Sequence, residues 1–312
     1  MHPHPSETPR RAAPRSHATR ATPELTPRDL TVLEIFRHVR FAETAQLEAM
    51  LTPSPFPTAK KLHLRLPKLE RGGYLTRPAR RIAARTPEPF ELASVTPRRG
   101  RPQAVWALAQ RGADALHLAG DWNRNNSRLH LGAFAHPLAI TRVFTTLQVA
   151  QAQRRISVES WTGENAWRTK IRAGRHTLPV VPDATCLLVD HDSDREAQIL
   201  LEIDNHTEPL TRSTAALTSV TRKFLGYWHY WDQVVRPQEI GMIVLTVAKR
   251  RDYADRLRRA AVRVDPEGHG LNLFWFTSEE DWAMTDAESF LYRPIWTTAA
   301  GETRAIFGDS DA

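Results

Sequence analysis

Three carboxylates of this 312-residue chain fall where two strands would bring them together. Asp183 follows Pro182 at the head of one apolar stretch, and Glu202-Ile203-Asp204 closes the next. Alternate residues of a strand share a face, so Glu202 and Asp204 point the same way. If the two strands pair, Asp183 joins them. Converging carboxylates make a hard oxygen site suited to magnesium or manganese. Such an ion generates hydroxide and polarises a phosphodiester. The plain alternative is a set of strand-end carboxylates that meet solvent or cap a helix. Lys223 follows on a helical stretch, where Lys223, Tyr227 and Tyr230 recur at i, i+4, i+7 and share a face. An amine there would stabilise a pentavalent phosphate or position water; otherwise it is a lysine whose stem lies along aromatics with its head in water. His136 and His206 flank these segments and either reach the strand ends or serve structure. Ser213, Thr214 and Cys186 form no nucleophile constellation, and neither GxxxxGK[ST] nor GxGxxG occurs.

A second set of residues is cationic. Leu62, Leu66 and Leu69 form an apolar stripe at helical spacing, and Lys61, Arg65 and Lys68 repeat that spacing one residue earlier. With Lys60 and Arg71 they give one helix a cationic face that would neutralise phosphates. Arg98, Arg99 and Arg101, grouped around Gly100, suit backbone or minor-groove contacts from a loop. The alternative is an ordinary amphipathic helix whose polar side happens to be basic.

The elements that must position these groups can be traced from composition and periodicity. The net charge of +8 is uneven: residues 1–110 hold 19 Lys and Arg and 9 Asp and Glu, a balance of +10. Residues 111–312 hold 24 and 26, a balance of −2. A basic module joined to a near-neutral one points to nucleic acid. Residues 1–24 lack large apolar side chains apart from Met1 and read as a disordered basic tail. Helices are predicted from Pro27 to Arg40, from Thr44, and over 58–72, with Pro67 as a place where the last would kink or start late. Gly72-Gly73 ends it. Strands at 74–76 and 104–108 complete a winged-helix order. A connector covers 121–136. From 137 to 298 the pattern predicts helix 137–154, strand 156–161, strand-like 180–189, strand 198–203, helix 210–231, strand 241–247, helix 252–262 and strand 271–277. Residues 299–312 read as a flexible tail. One cysteine excludes a disulfide framework and a cysteine-only zinc site. No run of about 18 apolar residues and no secretory signal is present, which makes a soluble cytoplasmic protein the expectation.

Taken together these blocks resemble the plasmid replication-relaxation family of bacteria and their mobile elements. The likeness rests on LTPRDLTVLEIF, KLHLRLPKLERGGYL, GRPQAVWALAQRGADAL, LPVVPDATCLL, ILLEIDNHTEPL and RKFLGYWHYW. The resemblance implies a two-domain α+β or α/β chain: a winged helix-turn-helix over 25–120, then a mixed-sheet domain similar to the PD-(D/E)xK (restriction-endonuclease-like) nucleases. It implies Asp183 as the PD aspartate and Glu202 as the (D/E). The lysine expected two residues later is Asp204 here, so the set is complete only if Lys223 supplies the amine. Asp183, Glu202 and Asp204 would then hold magnesium or manganese, and the chain would nick or process DNA as a metal-dependent endonuclease. Fold alone does not carry that activity. The rival expectations are a degenerate nuclease-like scaffold acting as a non-catalytic replication or relaxosome accessory factor, and a transcriptional regulator. Expected partners are double-stranded DNA and plasmid replication or relaxosome proteins. A homodimer would suit two half-sites, although no heptad supports one.

Overall fold

The structure, a computed structural model, describes residues 23–52, 54–78, 104–118, 122, 134–163, 166–204, 220–238 and 241–308. Residues 1–22 of the tail expected over 1–24, the loop arginines Arg98, Arg99 and Arg101, His206 and the first half of the helix expected from 210 lie outside the described residues.

Helix α1 (Pro27–His38) starts where Pro27 loses nothing by lacking an N–H. Asp29, at the third position, accepts from the backbone N–H and the hydroxyl of Thr26, each at 2.7 Å. Strand β1 (Ala42–Glu43), helix α2 (Thr44–Leu51) and helix α3 (Ala59–Arg71) follow. The chain continues as helix through Pro67. The ring removes one N–H, while Leu62, Leu66 and Leu69 are at most 1% exposed and anchor α3 on both sides of it. Gly73, at φ +78°, turns the chain out of the helix in the left-handed region that glycine enters freely. Strands β2 (Leu75–Thr76) and β3 (Val105–Leu108) complete a three-stranded antiparallel sheet with β3 in the middle. β1 is too short to show a period, and sequence periodicity misses it. Helix α4 (Gln110–Ala115) closes this part. Its core gathers Val32, Leu33, Leu47, Leu66 and Trp106.

Helix α5 (Ala135–Ala152) carries His136 in its first turn, so the expected connector ends before that residue. Strand β4 (Ile156–Thr162) leads to a hairpin of β5 (Thr169–Ala173) and β6 (His176–Val180), then to β7 (Ala184–Asp190) and β8 (Glu196–Asp204). Of the strand expected over 180–189, Val180 closes β6 and β7 starts at Ala184, with Pro182 and Asp183 between them. The hairpin is a separate two-stranded sheet. Helix α6 (Val220–Tyr230) runs on through a π-helical turn, Trp231–Val235. Strand β9 (Met242–Ala248), helix α7 (Arg251–Val262), strand β10 (Phe274–Ser278), helix α8 (Ala287–Tyr292) and strands β11 (Trp296–Thr298) and β12 (Thr303–Arg304) complete the order.

Seven strands form one mixed sheet in the order β12-β11-β10-β9-β8-β7-β4. β8, β9 and β10 are mutually parallel neighbours and the other pairs are antiparallel. The period of two along β8 decides what faces what. Ile199, Leu201 and Ile203 pack with α5 and α8 on one face. Leu200 packs on the other face, with α6, α7 and the hairpin. The apolar run of β9 is covered on both sides, as a central parallel strand requires. Residues 299–308 are not the expected tail: they supply β12 and bury Ile306 and Phe307.

α5 touches both cores. Phe144 sits among the N-terminal helices while Ile140, Val143 and Leu147 cover the large sheet. The Thr141 hydroxyl donates to the Phe41 carbonyl at 2.6 Å, and the Gln46 amide donates to the Leu138 carbonyl at 3.0 Å. The Trp161 indole donates to the His38 carbonyl at 3.1 Å.

Candidate functional site

Strands β7 and β8 pair with Ala184 opposite Leu201, and Asp183 N–H donates to the Leu201 carbonyl at 2.9 Å. One step further along that register Asp183 lies opposite Glu202. Glu202 belongs to the Leu200 face, beneath α6. It is 4% exposed, and both its oxygens are engaged from α6: Tyr227, itself buried, donates its hydroxyl to Oε1, and the Lys223 ammonium stands 3.4 Å from Oε2. Lys223 and Tyr227 are one helical turn apart, which is why both reach the same carboxylate.

α6 comes this close because Gly226 has no side chain. A Cβ there would lie 2.9 Å from the Pro179 carbonyl of β6. Burial is the largest cause that pushes the Glu202 carboxyl up, to about 7, and the charge of Asp183 adds to it. Lys223 and the Tyr227 hydroxyl pull the other way without cancelling it.

Asp183 is held from two sides. Its Oδ2 accepts from the Ile203 N–H at 2.8 Å, and its Oδ1 is 3.0 Å from His136 Nε2. The structure thus brings together Asp183, Glu202, Lys223 and His136. Asp204 shares the face of Glu202 but answers to another helix: its Oδ2 accepts from the Tyr253 hydroxyl of α7 at 3.4 Å. That contact has no signature in sequence, because it depends on α7, packed on β9 and β10, bringing Tyr253 to the end of β8.

Among the described residues no group of three or more His, Cys, Asp and Glu side chains is arranged to hold a metal. Each oxygen of Asp183 and Glu202 already has a protein donor. In this arrangement those oxygens serve contacts within the protein, and Asp204 is turned to Tyr253 instead of to the pair. What the arrangement does provide is a buried carboxyl that changes protonation near neutral pH, beside a lysine and a histidine. Cys186 is buried and its thiol is pushed up to about 12 by that burial, which leaves it inert.

The cationic helix separates into two roles. Lys60, Lys61, Lys68 and Arg71 are exposed on α3, with Leu64 60% exposed among them. Arg65 is not part of that display. Its guanidinium is forked onto Asp29, Nε to Oδ1 at 2.7 Å and Nη2 to Oδ2 at 2.5 Å, and also donates to the Glu24 carbonyl at 2.9 Å. Asp29 is buried, so Arg65 fastens α3 to the start of α1 rather than facing a ligand. The expectation that Arg65 contacts phosphate is corrected on that ground. Spacing could not reveal it, since the partner lies on another helix.

No helix among the described residues is long and apolar enough to cross a membrane. A family model described as Replication-relaxation matches residues 33–246, a span that contains α3, the β5–β6 hairpin and the whole carboxylate centre. No curated protein and no solved structure matches the chain.

Proposed function

Because the chain belongs to the replication-relaxation family, we propose that it is a DNA-binding protein that acts in plasmid replication or DNA relaxation, with a winged helix and a degenerate nuclease-like domain. The observation that carries this reading is α3. It buries Leu62, Leu66 and Leu69 and turns Lys60, Lys61, Lys68 and Arg71 to solvent. The order helix, strand, helix, helix, strand, strand with β3 central is that of a winged helix, whose third helix enters the major groove. The exposed cations then contact phosphates and Leu64 meets base edges, where an apolar side chain favours the thymine methyl group. In the second part, the facing Asp183 and Glu202 and the lysine reaching in from α6 support the likeness to the PD-(D/E)xK nucleases. The engagement of every carboxylate oxygen by protein donors supports a scaffold over an active centre.

Fluorescence anisotropy on a labelled duplex tests the first part. Lys61→Gln, Lys68→Gln and Arg71→Gln together are expected to weaken binding and to flatten its salt dependence by about 0.9 in log–log slope per lost contact. Unchanged affinity and slope would remove α3 from the interface.

Metal-dependent nicking is the second reading, favoured by Lys223 beside the paired carboxylates. Nicked product from supercoiled plasmid with magnesium or manganese, lost in Glu202→Gln, would establish it. Product that persists in that variant would mark a contaminant.

A further inference from the structure

We propose that the β5–β6 hairpin is a second DNA-binding element, a cationic ribbon that holds the duplex backbone beside the Asp183–Glu202 centre. This rests on the reading of the chain as a DNA-binding protein. Residues 166–180 contain Arg168, Lys170, Arg172 and Arg175 and no Asp or Glu. The pleat sorts them. Ile171, Leu178 and Val180 are buried against α6, while Arg168, Lys170, Arg172 and Arg175 are all exposed.

The ribbon is held firmly from below. Pro179 touches α6 at Gly226, the Gln233 amide donates to the Arg172 carbonyl at 2.9 Å, and Trp167 meets Tyr230 edge to face with ring centroids 5.6 Å apart. Its outward face is left to solvent. Lys170 and Arg172 recur every second residue, about 6.7 Å apart along the strand, close to two steps of a duplex strand at about 3.4 Å each.

Two further observations favour this surface over the other basic region of the second part. On α7 and just before it, Arg250, Arg251, Arg258 and Arg259 are ion-paired with Asp252, Asp281, Asp255 and Asp255. Among the described residues Lys170, Arg172 and Arg175 have no carboxylate partner; the guanidinium groups of Arg172 and Arg175 reach the Gly174 carbonyl and His176 within the ribbon. In addition, β6 ends three residues before Asp183, so the Lys170 end of the ribbon is the end nearer the carboxylate centre.

The test uses the full chain and a fluorescein-labelled duplex over a salt series. Lys170→Gln/Arg172→Gln/Arg175→Gln is expected to lower the log–log salt slope by about 2 to 3, at roughly 0.9 per contact. Lys170→Arg/Arg172→Lys/Arg175→Lys should restore it, and all variants should keep the wild-type thermal midpoint because the side chains are exposed. A glutamine variant with the wild-type slope, alongside an α3 variant that loses affinity, would overturn the ribbon and leave the proposed function standing. Wild-type protein that binds no duplex would sink both. Equal loss of binding to poly-glutamate and to duplex would also overturn it, by making an acidic protein the partner.

Discussion

Replacing Glu202 by glutamine should make the protein more stable, and only at high pH. Glu202 is nearly fully buried, with its carboxyl moved from an ordinary 4.5 to about 7. Its unfolded-state pKa is the lower of the two. Between those values the folded chain holds a proton that the unfolded chain has released, so stability falls as pH rises through this window and levels off above 7. The rise from 4.5 to about 7 corresponds, at about 1.4 kcal/mol per pH unit, to about 3 kcal/mol of destabilisation above pH 7. Glu202→Gln keeps the shape, keeps an acceptor for the Tyr227 hydroxyl and removes the charge. Lys223 loses this contact, but its side chain is 30% exposed and can turn to water. The expected gain is therefore about 2 to 3 kcal/mol at pH 8 and close to zero at pH 4.5. Urea unfolding followed by tryptophan fluorescence at the two pH values measures it. A variant less stable than wild type at pH 8, or a difference that does not change with pH, would refute the account of Glu202 as a charge buried at a cost.

Three other outcomes follow from packing. Arg65→Ala should destabilise the chain by about 3 kcal/mol near neutral pH, since it leaves a buried carboxylate unpaired. Burial raises the Asp29 carboxyl, but the bonds from Arg65 and Thr26 outweigh it and hold it below the ordinary range. That stabilisation is present above the unfolded pKa and fades as pH falls through the folded one, so the gap between variant and wild type should close in acid; a loss of DNA binding with unchanged urea stability would contradict the clamp. Gly226→Ala should cost about 1 to 3 kcal/mol by pushing α6 off the Pro179 carbonyl, measured by thermal unfolding, with a wild-type melting curve as the contrary result. Phe307→Ala should cost about 3 to 5 kcal/mol because Phe307 is core rather than tail, and an effect within 0.5 kcal/mol, of the size seen for surface changes, would restore the tail.

Periodicity made the helices and the central strands legible because each presents a continuous apolar stripe to one core. The Leu62, Leu66, Leu69 stripe and the GMIVLTV run are of that kind. Asp183 and Glu202 were also legible, since an aspartate after Pro182 and a glutamate near the end of the next apolar strand need only antiparallel pairing to meet. β1 and β12 were not: they have two residues each and show no period, whereas β2, equally short, is marked by Gly72-Gly73 before it. The hairpin has no counterpart in the sequence reading: only Val180 of β6 falls in an expected strand, because five-residue strands on either side of a short turn show too little period to mark. Roles set by partners on remote segments were equally hidden. Arg65 looks like Lys61 and Lys68 until Asp29 is placed beside it, and Asp204 looks like Glu202 until Tyr253 arrives from α7.

Helix α5 has a consequence for where on DNA the second part works. Its Thr141 and Leu138 are bonded to the N-terminal part, and its Ile140, Val143 and Leu147 lie on the large sheet. Such a rivet permits no swivel. If α3 docks in a groove, the Asp183–Glu202 centre arrives at one fixed offset and one fixed helical phase from it. The chain then behaves as a ruler: inserting half a helical turn of DNA between the docking site and the point of action would carry that point to the opposite side of the duplex, out of reach of the centre.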